Sequence, residues 1–347
     1  MTRVALDLLG GDDAPASVVD GALLAVERDP LLEVVLVGPT DVAAPQLAAR
    51  GAEGRFRVVP ASQVVGMEED PARGVRAKRD ATVRVAARLV RDGGPDGADA
   101  MVSVGSTGAA LAAGLFTLGR LRGVSRPGLA VVIPALAGPL VLLDAGAMPD
   151  AGPDLLVQHA LAGAAFAEVR LGLTSPRVGL LSNGEEAGKG DLLRKAAYDA
   201  LATLPLDFVG NVEGSDVPRG GRADVVVTDG FTGNVLLKGL EGAASMLAEL
   251  MTTAMEGSAE RRAAADVLLP VLREATAHTS PDALGGGVLL GVGGVVVVGH
   301  GASSPQAVAS CLAVAAQAAR ERLVPRVGAA LADLVARRED AALGAGR

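Results

Sequence analysis

The chemistry this sequence can offer is concentrated in glycine-rich loops. In G184EEAGKG190 one lysine, Lys189, follows Glu185 and Glu186 among glycines. A lysine so placed can act as a point charge on phosphate or on a developing oxyanion. The loop is not a P-loop, because the spacing and the following Ser/Thr are missing. In G105STG108 the Ser106 and Thr107 hydroxyls join the backbone N–H groups between Gly105 and Gly108 at a helix start. That arrangement suits an anion and serves equally as a plain cap. In G10GDDAP15, Gly10 and Gly11 precede Asp12 and Asp13. These acids repel phosphate unless they bind a donor or orient a cation, and the simpler alternative is again capping. His300, in G299HGASS304, is placed to donate to a substrate oxygen or to shuttle a proton. No G-x-S-x-G elbow accompanies it, so a hydrolytic triad is not indicated. His159 lies in an apolar helical pattern and reads as packing, and His278 lies in a polar loop.

A second feature is electrostatic. The run R73GVRAKRDATVRVAARLVR91 carries Arg73, Arg76, Lys78, Arg79, Arg84, Arg88 and Arg91 against one acid, Asp80. Arg84, Arg88 and Arg91 fall on one helical face. They form either a receiving surface for an acidic partner or an ordinary solvated face. The concentration stands out because the whole chain has a net charge of −8. That balance argues against a general nucleic-acid binder.

Composition narrows the class further. With 347 residues, half of them hydrophobic and 21% charged, the chain is long enough for a large aliphatic core. Aromatics make up only 2% and Trp is absent, which argues against stacking platforms for bases or sugars. The single cysteine, Cys311, excludes an internal disulfide and fits a reducing cytosol. No Cys/His spacing resembles a zinc site. Asp7, Asp12 and Asp13 interrupt the first apolar stretch, so it does not read as a signal peptide, and the expected location is cytoplasmic.

The elements that must hold these loops repeat a rhythm. Seven apolar runs, beginning at Val4, Met101, Leu140, Val178, Asp207, Ala223 and Val295, each break into a glycine-rich polar loop. Continuous apolar runs read as strands of a parallel sheet buried on both faces. Helical patterns alternate with them at 16–28, 81–92, 109–120, 155–170, 191–203, 234–253 and 304–322. The expectation is a three-layer α/β/α fold with a mostly parallel sheet. Ligands in such sheets bind beyond the carboxyl ends of the strands, so the seven loops are expected to build one site. The stretch 241–284 departs from the rhythm. It reads as a projecting helical segment broken by Pro270, either a packing element or a membrane-touching one. Residues 1–330 are expected to form one catalytic α/β domain with a tail at 331–347.

Together the motifs resemble the PlsX family of phosphate acyltransferases over nearly the whole chain. The resemblance rests on A5LDLLGGDDAP15, V75RAKRDATVRVAARLV90, S103VGSTGA109, R126PGLA130, D144AGAMPD150, G184EEAGKG190, N211VEGSD216, D224VVVTDGFTGNVLLK238 and H300GASS304. It implies transfer of a long-chain acyl group from acyl carrier protein to inorganic phosphate for phospholipid synthesis. It also implies kinship with the phosphotransacetylase and isocitrate/isopropylmalate dehydrogenase folds, a homodimer, and peripheral membrane contact. A glycerol-3-phosphate acyltransferase would act downstream, and no cofactor or metal is implied. On that reading Lys189, His300, Asp229 and Asn234 are the catalytic candidates. Phosphate is expected at Gly105, Ser106, Thr107 and Gly108, with Lys189 nearby. Gly10, Gly11, Asp12, Ser103, Asp144, Glu185, Asn211, Glu213, Thr232 and Ser303 complete the substrate-binding set. Two alternatives stand beside it: a short-chain phosphotransacetylase-like enzyme and a catalytically impaired scaffold homologue.

Overall fold

A computed structural model describes residues 1–276 and 284–332. All seven apolar runs are strands. β1 (Thr2–Asp7), β4 (Ala100–Ser103), β6 (Leu140–Leu143), β7 (Arg177–Ser182), β8 (Asp207–Glu213), β9 (Val225–Val227) and β11 (Val295–Val298) are joined by β2 (Leu32–Val37), β3 (Arg57–Val59), β5 (Gly128–Ile133) and β10 (Gly287–Leu290). They make one eleven-stranded sheet in the order β3-β2-β1-β4-β11-β10-β5-β6-β9-β7-β8.

Successive residues of each strand face opposite sides, and this builds the layers. Val4, Leu6, Val102 and Val297 enter one apolar cluster with helices α1 (Ala16–Arg28), α6 (Pro153–Leu171) and α10 (Pro305–Arg320). Ala5, Met101, Val296 and Val298 enter another with α4 (Thr82–Asp92) and α5 (Thr107–Leu118). The fold is therefore a three-layer α/β/α arrangement. Cys311 lies buried in α10, where burial pushes its thiol up to about 12.

Three pairings are antiparallel: β10 with β11, β10 with β5, and β5 with β6. The others are parallel. The carboxyl ends of β1, β4 and β11 thus leave one edge of the sheet, while those of β6, β9, β7 and β8 leave the opposite edge. This corrects the expectation that all seven glycine loops converge. Composition marks a strand, but its direction depends on the crossovers through β5 and β10, which carry no glycine-loop chemistry of their own.

The remaining helices are α2 (Thr40–Ala48), α3 (Pro71–Ala77), α7 (Leu192–Leu201), α8 (Gly230–Glu256) and α9 (Ala259–Thr276). α8 begins four residues before the patterned start because Asp229 caps it, accepting from the Thr232 N–H at 2.8 Å. Pro270 does not break the helical segment. α9 runs through it, and the interruption falls between Glu256 and Ala259. A proline removes only one N–H from a ladder, and α9 absorbs that loss. Residues 277–283, including His278, and the tail from 333 lie outside the described residues. No described helix is long and apolar enough to cross a membrane.

Candidate active site

At the edge where β1, β4 and β11 end, the glycine loops meet backbone to backbone. A Cβ on Gly10 would lie 2.8 Å from the Gly105 nitrogen, so only glycine permits this approach. The two loops enclose a cavity of about 160 Å³ lined by Gly10, Gly11, Asp12, Ser103, Gly105 and Ser106, with Val64 to Met67, Thr82 and Val83 opposite. Asp7 is also on its wall. Its carboxylate accepts from the Ser103 hydroxyl at 2.8 Å and the Leu9 N–H at 3.3 Å. Burial pushes the Asp7 carboxyl above its ordinary range, against the pull of hydrogen bonds from Thr82, Ser103 and the Leu9 and Gly10 backbone. No Lys or Arg lines the cavity. Asp12 and Asp13 do not cap α1 through their side chains: its N-cap is Pro15, with no side-chain cap bond. Asp12 is instead exposed, its N–H bonded to the Gly301 carbonyl at 2.8 Å.

That bond ties the His300 loop to the cavity. His300 is exposed and its Nδ1 accepts weakly from the Ala302 N–H at 3.3 Å, which leaves Nε2 as the donor of the neutral ring. Ser303 is buried and its hydroxyl donates to the His300 carbonyl at 2.5 Å. Ser303 therefore shapes the loop. Ser106 caps α5 through the Ala109 N–H at 3.3 Å. The first-turn N–H groups of Thr107 and Gly108 have no intrahelical acceptor, as at any helix start.

The opposite edge is organised differently. Asp144 is fully buried. Its Oδ1 accepts from the backbone N–H groups of Leu129, Gly146 and Ala147 at 2.8–3.0 Å, and its Oδ2 from Met148 at 2.8 Å. With its oxygens so engaged Asp144 builds the loop. The first turn of α8 presses against it, where a Cβ on Gly233 would sit 1.9 Å from the Asp144 carbonyl oxygen. The loop folds back over the α4/α5 face: Ala147 belongs to the same cluster as Ala109, and Met148 packs against it. Asn234 lies beside Gly146.

Asp229 is likewise committed. Its Oδ2 receives the buried Arg194 guanidinium and the Thr232 hydroxyl at 2.8 Å. Arg194 also donates to Thr228 at 3.1 Å, to Thr232 at 3.0 Å and to Asp191 at 3.0 Å. Burial pushes the Asp229 carboxyl up, but Thr232 and Arg194 outweigh it and hold it below the ordinary value. Asp229 thus acts as a cap and ion-pair partner, with Thr232 in the same knot. Asn211, wholly buried, donates to the Glu186 carbonyl at 2.7 Å and so holds the Lys189 loop from beneath. Glu185 pairs with Arg222 at 2.5 Å, and the Glu213 N–H bonds Asp216 at 3.0 Å. Lys189 itself is exposed, and its ammonium has no partner among the described residues. No described contact joins it to the Ser106 cavity.

The sequence reading missed Asp7, Thr82 and Arg194. Asp7 hides inside an apolar run as its one acid, which is the signal that could have exposed it. Arg194 sits in a polar helix pattern and gives no signal. His159 packs as expected, 3% exposed, with burial holding its ring below the ordinary value against the nearby Asp144 charge. Arg84 and Arg88 are not free docking charges. Arg84 donates to the Val75 and Arg76 carbonyls at 2.8 and 3.3 Å and so finishes α3, while Arg88 donates to the Arg79 carbonyl at 3.2 Å in the turn after it. Among the described residues no cluster of three or more His, Cys, Asp or Glu could hold a metal ion.

An eleven-stranded α/β/α sheet with its polar loops at strand ends is the phosphotransacylase fold. The chain superposes on a phosphotransacetylase from Streptococcus pyogenes with a TM-score of 0.62 at 16% identity, covering 92% of this chain and 94% of that one. A phosphotransacetylase from Staphylococcus aureus gives 0.58 at 14%, covering 92% and 94%. Sequence goes further. A family model described as fatty acid synthesis protein matches residues 2–326. A phosphate acyltransferase from Desulfitobacterium hafniense (strain Y51) is 42% identical over 327 residues, 94% of this chain and 96% of that protein. One from Myxococcus xanthus (strain DK1622) is 44% identical over 317 residues, 90% and 89%. The chain belongs to this fatty acid synthesis protein family, the PlsX family of phosphate acyltransferases.

Proposed function

We propose that this enzyme transfers a long-chain acyl group from acyl carrier protein to inorganic phosphate at the β1/β4/β11 edge. The observation that carries the placement is the cavity between the two glycine loops, which abuts both the α5 N-terminus and the His300 loop. Phosphate would sit outside the cavity on the Thr107 and Gly108 N–H groups and the Thr107 hydroxyl. Within the cavity, two carboxylates and no cation disfavour a dianion and favour a neutral donor chain. At about 160 Å³ it is smaller than the ~300–1,000 Å³ typical of ligand pockets. It would therefore take the reacting end of the donor, not a whole acyl chain.

The step needs no covalent enzyme intermediate. A phosphate oxygen attacks the thioester carbonyl carbon, and the carbonyl oxygen becomes an oxyanion. His300 Nε2–H is the donor placed to meet it. The C–S bond then breaks, and the departing sulfur takes the proton that hydrogen phosphate gives up. The products are acyl phosphate and free carrier thiol. Positioning and electrostatics supply the rate. Lys189, on the other edge, would join only if that edge closes toward the cavity or a second copy of the chain brings its own Lys189 there.

The test is consumption of acyl carrier thioester with and without inorganic phosphate, in parallel with short-chain acyl-coenzyme A. Phosphate-dependent release of thiol from the long-chain carrier substrate is expected. Turnover of acetyl-coenzyme A alone would overturn the reading in favour of a short-chain phosphotransacetylase. No turnover of either would favour the impaired homologue.

A further inference from the structure

Around the proposed cavity the sign of the charge inverts, and the inversion describes a partner. Inside are Asp7 and Asp12. Outside, α3 leads from the cavity wall into three exposed arginines, Arg73, Arg76 and Arg79. α3 packs directly on the first turn of α5, where a Cβ on Gly108 would lie 2.6 Å from Pro71. Neighbouring charges are spent locally. Lys78 pairs with Glu69, Asp80 accepts from the Ser62 N–H and hydroxyl at 2.8 and 2.7 Å, and Asp70 caps α3. Glu68 is exposed on the N-terminal side of α3. Arg73 and Arg79 guanidinium groups have no partner among the described residues, and Arg76 lies 4.4 Å above the Phe116 ring. Apolar side chains are exposed among these cations: Met67 at 57%, Phe116 at 42% and Val64 at 38%.

We infer that α3, with Met67 and Phe116 beside it, is the landing surface for the acidic body of the carrier protein, whose thiol-bearing arm enters the cavity by its uncharged end. The inference rests on the proposed reaction. The amide-rich, thiol-bearing end of that arm brings N–H and O–H donors to the Asp7 and Asp12 carboxylates and no charge, which suits the inside. Arginine, methionine and an aromatic ring on one exposed patch are the residue types that protein interfaces favour. A nucleotide thioester would use the arginines for its phosphates but leave the apolar side chains uncovered.

The experiment compares the parent with Arg73→Glu/Arg79→Glu on three long-chain substrates, acyl carrier protein, acyl-coenzyme A and acyl-pantetheine, each with phosphate. Both side chains are solvent-exposed, and an unchanged melting temperature checks the fold. For the carrier substrate, kcat/KM should fall about tenfold or more and lose its salt dependence, since interface charges act mainly on encounter. For acyl-pantetheine it should hold. Unchanged kcat/KM and salt dependence for the carrier would overturn the inference, as would an equal loss on acyl-pantetheine, which would make the arginines part of the chemistry. Loss confined to acyl-coenzyme A would assign the surface to a nucleotide. If the parent itself shows no phosphate-dependent turnover of the carrier substrate, the proposed reaction fails instead.

Discussion

The two edges of the sheet use the same motif, an apolar strand breaking into glycine and an acid, for opposite purposes. At the β6/β9 edge the acids are consumed. Asp144 is held by four backbone N–H groups and Asp229 by Arg194 and Thr232. At the β1/β4/β11 edge Asp12 stays exposed, and Asp7 faces a cavity with only hydroxyl and N–H partners. The difference teaches that motif membership does not distinguish a loop-building acid from a ligand-facing one. What distinguishes them is how many lone pairs the protein has already engaged.

The largest expected effect is on stability at the β6/β9 edge. Asp144→Ala strands buried N–H groups whose charge-assisted bonds each contribute about 1.5–3 kcal/mol. A loss of about 4 kcal/mol or more by urea denaturation is expected, while Asp12→Ala should stay within about 0.5 kcal/mol. Equal losses would dissolve the contrast.

Next comes catalysis. His300→Ala should lower kcat about 10²–10³-fold, the usual effect of removing one oxyanion donor, with the melting temperature unchanged. Lys189→Ala tests whether the edge of β6, β9, β7 and β8 takes part: a drop of about tenfold or more at subsaturating phosphate would bring its loop into the site. An unchanged kcat/KM would leave the chemistry wholly at the first-named cavity.

The acids should also answer pH with opposite sign. The Asp229 carboxyl is depressed in the fold. Its contribution is present above the unfolded value of about 3.9 and is lost as pH falls through the folded value. Arg194→Met should therefore cost stability at pH 7, and the gap from the parent should narrow on acidification. The Asp7 carboxyl is raised. Its contribution is present below about 3.9 and is lost as pH rises through the folded value. Asp7→Asn should therefore gain on the parent as pH rises from 4 to 8. Thermal melts from about pH 2 to 8 check both, and parallel pH profiles for the two pairs would sink the assignment.

The smallest effect belongs to neither edge. Met246, Leu247, Leu250 and Met251 lie exposed along α8. On the membrane-contact reading, Leu250→Ser/Met251→Ser should lose flotation with anionic liposomes and keep its sedimentation. A slower-sedimenting protein would give that surface to a second copy of the chain instead.

Much of this was legible in advance because local rules govern it. Apolar runs became strands, and Ser106, Asp191 and Ser304 each cap a helix near its expected start, whereas Asp229 starts α8 ahead of its pattern. The reversal of the sheet was not legible: G128LAVVI133 and G287VLL290 look like any other apolar run, and pairing direction is set by tertiary crossovers. Arg194 was hidden for the same reason. A lone arginine in a polar helix gains its meaning only when Asp229, Thr228 and Thr232 arrive from another part of the chain.

The buried thiol in α10 has a practical consequence at the bench. Cys311 is the only cysteine in the chain, and its thiol is pushed up to about 12. At neutral pH it stays protonated and shielded, so a colorimetric thiol reagent will not see the folded enzyme. The sulfur such a reagent detects would be the one set free from the acyl donor, and turnover can be followed continuously in the cuvette without a chemically silenced variant.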